Sequence, residues 1–178
     1  MLTFGLAYDV DDNKFWRIVK KLSEDSLKEV RSDTLALMDT VTFMKDAGVL
    51  SNKAMREVSE LANHLDTLTA DQLVAFTLMY SSSEMQSAID VSDNVSKLEN
   101  ALIAKKKQFT AQHFATICSV VAFDDSHGQE ESLTLKLPVF LHENYSRVLN
   151  WLTNESFTEY MQDFVHVAAA YISMYDNG

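Results

Sequence analysis

The sequence predicts an all-α protein, a right- or left-handed α-α superhelix of about four helical hairpins with a period near 42 residues. Three observations predict it. Glycine (4) and proline (1) are too scarce for the many corners of a β-sandwich or barrel. Apolar residues recur in steps of three and four along nearly the whole chain. One local pattern, an apolar residue, then Ser or Thr, then an apolar residue four positions on, appears as Leu22-Ser23…Leu27, Leu68-Thr69…Leu73, Phe109-Thr110…Phe114 and Leu152-Thr153…Phe157. In that pattern the hydroxyl is placed to accept a hydrogen bond from a first-turn N–H, and the flanking apolar pair forms a hydrophobic staple. The Ser/Thr residues are 46, 41 and 43 positions apart.

The elements follow in order within one domain, residues 1–178, divided into units at about 9–48, 49–90, 91–136 and 137–178. In the first unit Phe15, Ile18, Val19 and Leu22 make one helical stripe, and Ser23 is expected to cap a second. That second helix, through Leu27, Val30, Leu37, Met38, Val41 and Met44, stops at Gly48, and Ser32-Asp33-Thr34 offers a cap that would break it in two. In the second unit Ser51 caps a helix along Met55, Val58, Leu61, Ala62 and Leu65, with Leu50 as its staple residue. Thr69, with Gln72 completing a capping box, starts a helix along Leu73, Phe76 and Tyr80, and Ser81-Ser82-Ser83 is a joint. The third unit has Val95, Leu98, Leu102 and Ile103, then Thr110 as cap before Phe114, Ile117, Cys118 and Val121. Phe123 to Leu137 is the longest non-helical stretch, with an acidic loop at 124–128 and alternating Leu133, Leu135 and Leu137 suited to an extended piece. In the fourth unit Pro138 sits at a first helical turn, followed by Leu141, Tyr145, Val148, Leu149 and Leu152. Thr153 is expected to cap a last helix along Phe157, Tyr160, Met161, Phe164 and Val165. Turns this short force paired helices antiparallel, and one hairpin buries its stripe only by stacking on another.

On these caps and stripes the chain resembles helical-hairpin repeat proteins of the HEAT and armadillo type. The phrases Leu68-Thr69-Ala70-Asp71-Gln72-Leu73 and Phe109-Thr110-Ala111-Gln112-His113-Phe114 are also similar to the helix starts of organellar octotricopeptide and FAST-kinase-like repeats. The first resemblance implies a scaffold for protein partners, the second an RNA-associated organellar protein. The charge separates the two. Fifteen basic against 26 acidic side chains give a net −11, opposed to broad phosphate binding, which runs on Lys and Arg.

No residue set announces a reaction, so no catalytic, cofactor-binding or metal-ligating residue is expected. The five histidines (His64, His113, His127, His142 and His166) include no pair four apart, and His142-Glu143 meets Ser146 where a zincin has its second histidine. Cys118, the only cysteine, lies on an apolar stripe and off the face of His113, which suits a buried thiol. Asp9, Asp11 and Asn13 begin like a calcium loop, but Lys14 and Lys20 stand where that loop needs Gly and Glu. Phosphate loops and nucleophile elbows have no glycines to build them. The basic runs Lys20-Lys21 and Lys105-Lys106-Lys107 are read as helix ends, where lysine complements the dipole.

The expected function is therefore a non-enzymatic structural or adaptor subunit of an intracellular assembly. Its partners are other protein subunits, with RNA as the alternative and no cofactor. A lone cysteine suits a reducing compartment, and the compartment is mitochondrial if a presequence has been removed. No apolar run approaches the ~18 residues of a membrane span. The expected contact residues are Asp124, Asp125, His127, Glu130 and Glu131 in the acidic loop, and Tyr171 and Tyr175 on a last helix apolar around most of its girth. A third class, an acidic imitator of nucleic acid, would need its acids along one surface, whereas here they are spread among caps and loops.

Overall fold

The computed structural model describes residues 13–82, 85–86, 91–121, 135, 137–154 and 161–176, and among them the fold is all-helical. The helices are α1 (Asn13–Val30), α2 (Thr34–Asp46), α3 (Asn52–Ala62), α4 (Ala70–Tyr80), α5 (Val91–Ala104), α6 (Ala111–Cys118), α7 (Pro138–Thr153) and α8 (Met161–Asp176). Single 3₁₀ turns stand at Leu65–Thr67 and Lys106–Gln108. The chain forms two compact units, Met1–Leu61 and Ala62–Gly178.

In the first unit α1 packs on α2. Ser23 is not a cap. It lies in the middle of α1, buried in the stripe Val19, Ser23, Leu27, and its hydroxyl donates to the Val19 carbonyl four residues back (2.9 Å). Nothing between Asn13 and Val30 breaks the helix, since neither Gly nor Pro occurs there. Lys20 and Lys21 consequently stand in mid-helix and exposed, not at a helix end. The break comes at Asp33, whose Oδ1 accepts from the Leu35 and Ala36 N–H groups at the start of α2. Gly48, at φ 64°, ends α2. Its N–H donates to the Lys45 carbonyl and that of Val49 to Met44, the paired bonds that close a helix through a left-handed residue. Ser51 then caps α3, accepting from the Ala54 N–H at 3.3 Å. Arg31 ties the end of α1 to α3 through Glu57 (3.0 Å) and Glu60 (2.7 Å), and Lys53 donates to the Glu24 carbonyl.

In the second unit one local design occurs twice, 41 residues apart. A 3₁₀ turn leads to a buried apolar residue, Leu68 or Phe109, then to a threonine cap, Thr69 or Thr110, and so into α4 or α6. Both caps close as boxes. Gln72 does so at the first, and at the second His113 takes the place of the usual Glu or Gln, its Nδ1 accepting from the Thr110 N–H. Packing runs in two rows: α4 on α6 and α6 on α8 in one, α5 on α7 in the other, with α4 against α5 and α7 against α8 between them. The core holds Leu73, Phe76, Tyr80, Leu98, Leu102, Phe114, Ile117 and Phe140. Leu135 and Leu137 are both buried just before α7, while Leu133 and the rest of the expected extended piece lie outside the described residues.

The fourth cap differs from expectation. Thr153 is the last residue of α7, and its hydroxyl donates back to the Asn150 carbonyl (3.0 Å). Residues 155–160 lie outside the described residues. The 46- and 43-residue intervals therefore do not connect equivalent positions, and only the 41-residue interval does.

Cap and non-cap hydroxyls should separate on substitution. Thr69→Ala and Thr110→Ala are each expected to cost about 1 kcal/mol. Ser23→Ala and Thr153→Ala should stay within about 0.5 kcal/mol, because their hydroxyls only return a bond to their own helix. Urea unfolding followed by helical circular dichroism measures all four.

Candidate protein-binding face

The second unit is organised around α7. Its N-terminus has no side-chain cap of its own, since Leu137 occupies that position and Pro138 opens the helix. The cap comes from α5. Glu99 Oε1 accepts from the Val139 (2.8 Å) and Phe140 (3.0 Å) N–H groups, placing a carboxylate on the positive end of the helix dipole. One and two turns into α7, two charged residues reach back to the turn between α5 and α6. Glu143 pairs with Lys106. Arg147 donates to the carbonyls of Lys106 and Phe109 (2.8 Å to the latter), and its guanidinium lies over the Trp151 ring, 4.7 Å from the centroid. The Lys106 ammonium holds the Glu143 carboxyl below its ordinary value of 4.5, so this link is present above that pH and is lost as acid protonates Glu143.

Beneath these polar contacts lies an aromatic cluster. Phe114 meets Phe140 (5.5 Å), Trp151 (5.6 Å) and Tyr171 (6.5 Å), and Phe109 meets Phe140 edge-on (6.1 Å). Tyr171, expected at a partner surface, is half-buried here. Its hydroxyl donates to the Leu141 carbonyl (2.8 Å) and its ring meets Tyr145 (5.9 Å), so it joins α8 to α7. Tyr175 lies in the last turn of α8, with its side chain outside the described residues. Asp124, Asp125, His127, Glu130 and Glu131 also lie outside them.

The chemistry-bearing side chains sit apart. Cys118 is buried, and burial pushes its thiol well above the ordinary 9.0. His113 is engaged on both ring nitrogens. With Nδ1 accepting in the capping box, Nε2 carries the hydrogen and donates to Asp71 (2.9 Å), across from α6 to the first turn of α4. Among the described residues no three His, Cys, Asp or Glu side chains converge as metal ligands would. No described helix is long and apolar enough to cross a membrane.

Exposed apolar side chains stand on α7 and α8, as they do at Ile18 and Leu22 of α1. The expected α7 stripe of Leu141, Tyr145, Val148, Leu149 and Leu152 is only partly inward. Phe140, Leu141, Asn144 and Val148 are buried, whereas Tyr145, Leu149 and Leu152 are 45, 45 and 36 % exposed. On α8, Val167 and Ala170 face the core while Val165 and Ile172 are 55 and 60 % exposed. Tyr145, in the α7 row, meets the half-buried Tyr171 ring of α8. The apolar arc of these helices is therefore wider than the core they cover. Sequence spacing identified the stripe but not its buried edge. The signal that separates them, Glu99 and Phe114 drawing the opposite edge inward, comes from residues far away in the chain. No family model, curated protein or solved structure matches this chain.

Two outcomes follow. Arg147→Met should cost about 1–3 kcal/mol and Arg147→Lys should recover less than half of that, because lysine lacks the planar fork that reaches two carbonyls; denaturant midpoints measure both. The thiol gives a second. The unfolded chain ionises Cys118 near pH 9 while the fold keeps it protonated, so its contribution to stability is full below pH 9 and declines as pH rises above it. Unfolding free energies at pH 8 and pH 10 should fall less in Cys118→Val than in the native sequence.

Proposed function

We infer that this protein is a non-enzymatic structural or adaptor subunit of a larger intracellular assembly. It binds other protein chains through the outer surfaces of stacked helical hairpins. The observation that carries the reading is the set of exposed apolar side chains on the neighbouring helices α7 and α8, Tyr145, Leu149, Leu152, Val165 and Ile172, since apolar patches of more than a few hundred Å² mark interaction sites. The two-row packing supports the hairpin-repeat part. First helices pack on first (α5 on α7) and second on second (α4, α6, α8), the order that stacked hairpins of a superhelix produce, and the duplicated turn-and-cap design recurs at 41 residues.

Of the lysine run that an RNA partner would use, Lys106 is already paired with Glu143, and its carbonyl is held by Arg147. That leaves a shorter basic edge than phosphate tracking wants.

Affinity purification of the tagged protein from its own cells, under gentle salt, tests the reading. A fixed set of proteins at constant stoichiometry and without nucleic acid is the expected result. Recovery with RNA that is lost steeply as salt rises would replace it with the RNA-associated reading.

A further inference from the structure

We propose that the groove between α1 and α2 binds a cationic, partly apolar segment of a partner protein, which sets an aliphatic side chain on the groove floor and a Lys or Arg on Asp39. The proposal rests on the subunit reading and names the chemistry of one partner. The groove lies within the first unit and has a volume of about 380 Å³. Its apolar lining is Val19 and Leu22 of α1 and Phe43 of α2. Val19 is buried and Phe43 half-buried, whereas Leu22 is 62 % exposed at the rim. The volume is at the small end of ligand pockets, which suits anchor side chains of a bound segment rather than a broad interface.

The polar lining decides what the segment carries. It consists of Ser23, Ser26, Thr40 and Asp39, and all four present acceptors. Ser23 donates to the Val19 carbonyl (2.9 Å), Ser26 to that of Leu22 (3.0 Å) and Thr40 to that of Ala36 (2.8 Å). Their hydrogens are thereby committed, and only oxygen lone pairs are left for a ligand. Asp39 is exposed and makes no ion pair among the described residues. No Lys or Arg lines the groove. Apolar carbon edged by acceptors and one uncompensated carboxylate is the complement of a donor-rich cation on an apolar stem, which is what Lys and Arg side chains are. An acidic segment would meet Asp39 and lone pairs with nothing to donate. A wholly apolar one would cover Asp39 and leave its charge desolvated. The net −11 of the chain favours encounter with a cationic partner over encounter with a second copy.

The test titrates the full-length purified protein with an amphipathic helical peptide of leucine and lysine, followed by backbone amide chemical shifts. Saturable binding is expected, with the shifts centred on Val19, Thr40 and Phe43. Asp39→Asn and Leu22→Ser, both at exposed positions where the helices should be kept, are each expected to weaken it at least about fivefold. Asp66→Asn removes the same charge from the second unit and should change the affinity less than about twofold. No binding overturns the proposal, and so do shifts centred elsewhere. Equal binding of a leucine–glutamate peptide, or of a glycine–serine–lysine peptide of the same charge, also overturns it, as does an equal loss in Asp39→Asn and Asp66→Asn. Shifts at the groove that grow with the concentration of the protein alone would assign it to a second copy instead. None of these failures touches the subunit reading, which a fixed set of co-purifying proteins would still support.

Discussion

The ends of a helix leave backbone groups that must find partners, and in the second unit they find them on the neighbouring hairpin. Glu99 on α5 supplies the acceptor that the start of α7 lacks. Arg147 on α7 supplies donors for carbonyls of the turn leaving α5. The exchange is reciprocal, so the register of α7 against α5 is fixed at two points along its length. A hairpin interface made only of apolar ridges would tolerate sliding, since dispersion and burial are nearly indifferent to small shifts. Two charge-assisted hydrogen-bonding sites, with directional requirements, are not.

That register places the aromatic cluster. Phe140 is one of the two residues whose N–H groups donate to Glu99, and Trp151 lies one turn beyond Arg147, so both rings are brought over Phe114. Tyr171 then closes the cluster from α8, and its hydroxyl finds a carbonyl of α7 rather than water. The buried polar groups nearby are handled locally. Asn144 donates to the Phe140 carbonyl, and Thr77 to Leu73, so each is hydrogen-bonded within its own helix, which offsets the cost of burying it.

The all-α class and most individual helices were legible in the sequence, because low Gly and Pro, apolar steps of three and four, and threonine caps are local signals. Thr69 and Thr110 read correctly because each follows a turn of a few residues that already interrupts the preceding helix. Ser23 and Thr153 carried the same apolar neighbours without any interruption, so the helix simply ran through or up to them and the hydroxyl turned back to its own backbone. A hydroxyl between two apolar residues is thus a cap only where something else stops the helix first. His113 escaped the sequence reading for a different reason, since its acceptor nitrogen imitates Gln72 without resembling it chemically. Glu99 and Arg147 were illegible because their partners lie some 40 residues away, and no periodicity relates them. The same distance hid which edge of the α7 stripe is buried. Of the candidate contact residues, the acidic loop lies outside the described residues. Tyr171 turned out to be bound up in the packing of α8 on α7.

This division of labour bears on why the outer face is apolar at all. Phe140, Leu141 and Val148 already bury the inner edge of α7, and Glu99, Glu143 and Arg147 anchor its length to the adjacent hairpin. Tyr145 still helps to pack α8 on α7 through its ring contact with Tyr171, while Leu149 and Leu152 leave 45 and 36 % of their surface in solvent, where Glu, Lys or Gln would keep the helix and be more soluble. An acidic chain with charged side chains over much of its exposed surface has instead kept that row, and the matching row of α8, free of charge. The exposed apolar side chains of α7 and α8 are the observation on which the subunit reading rests.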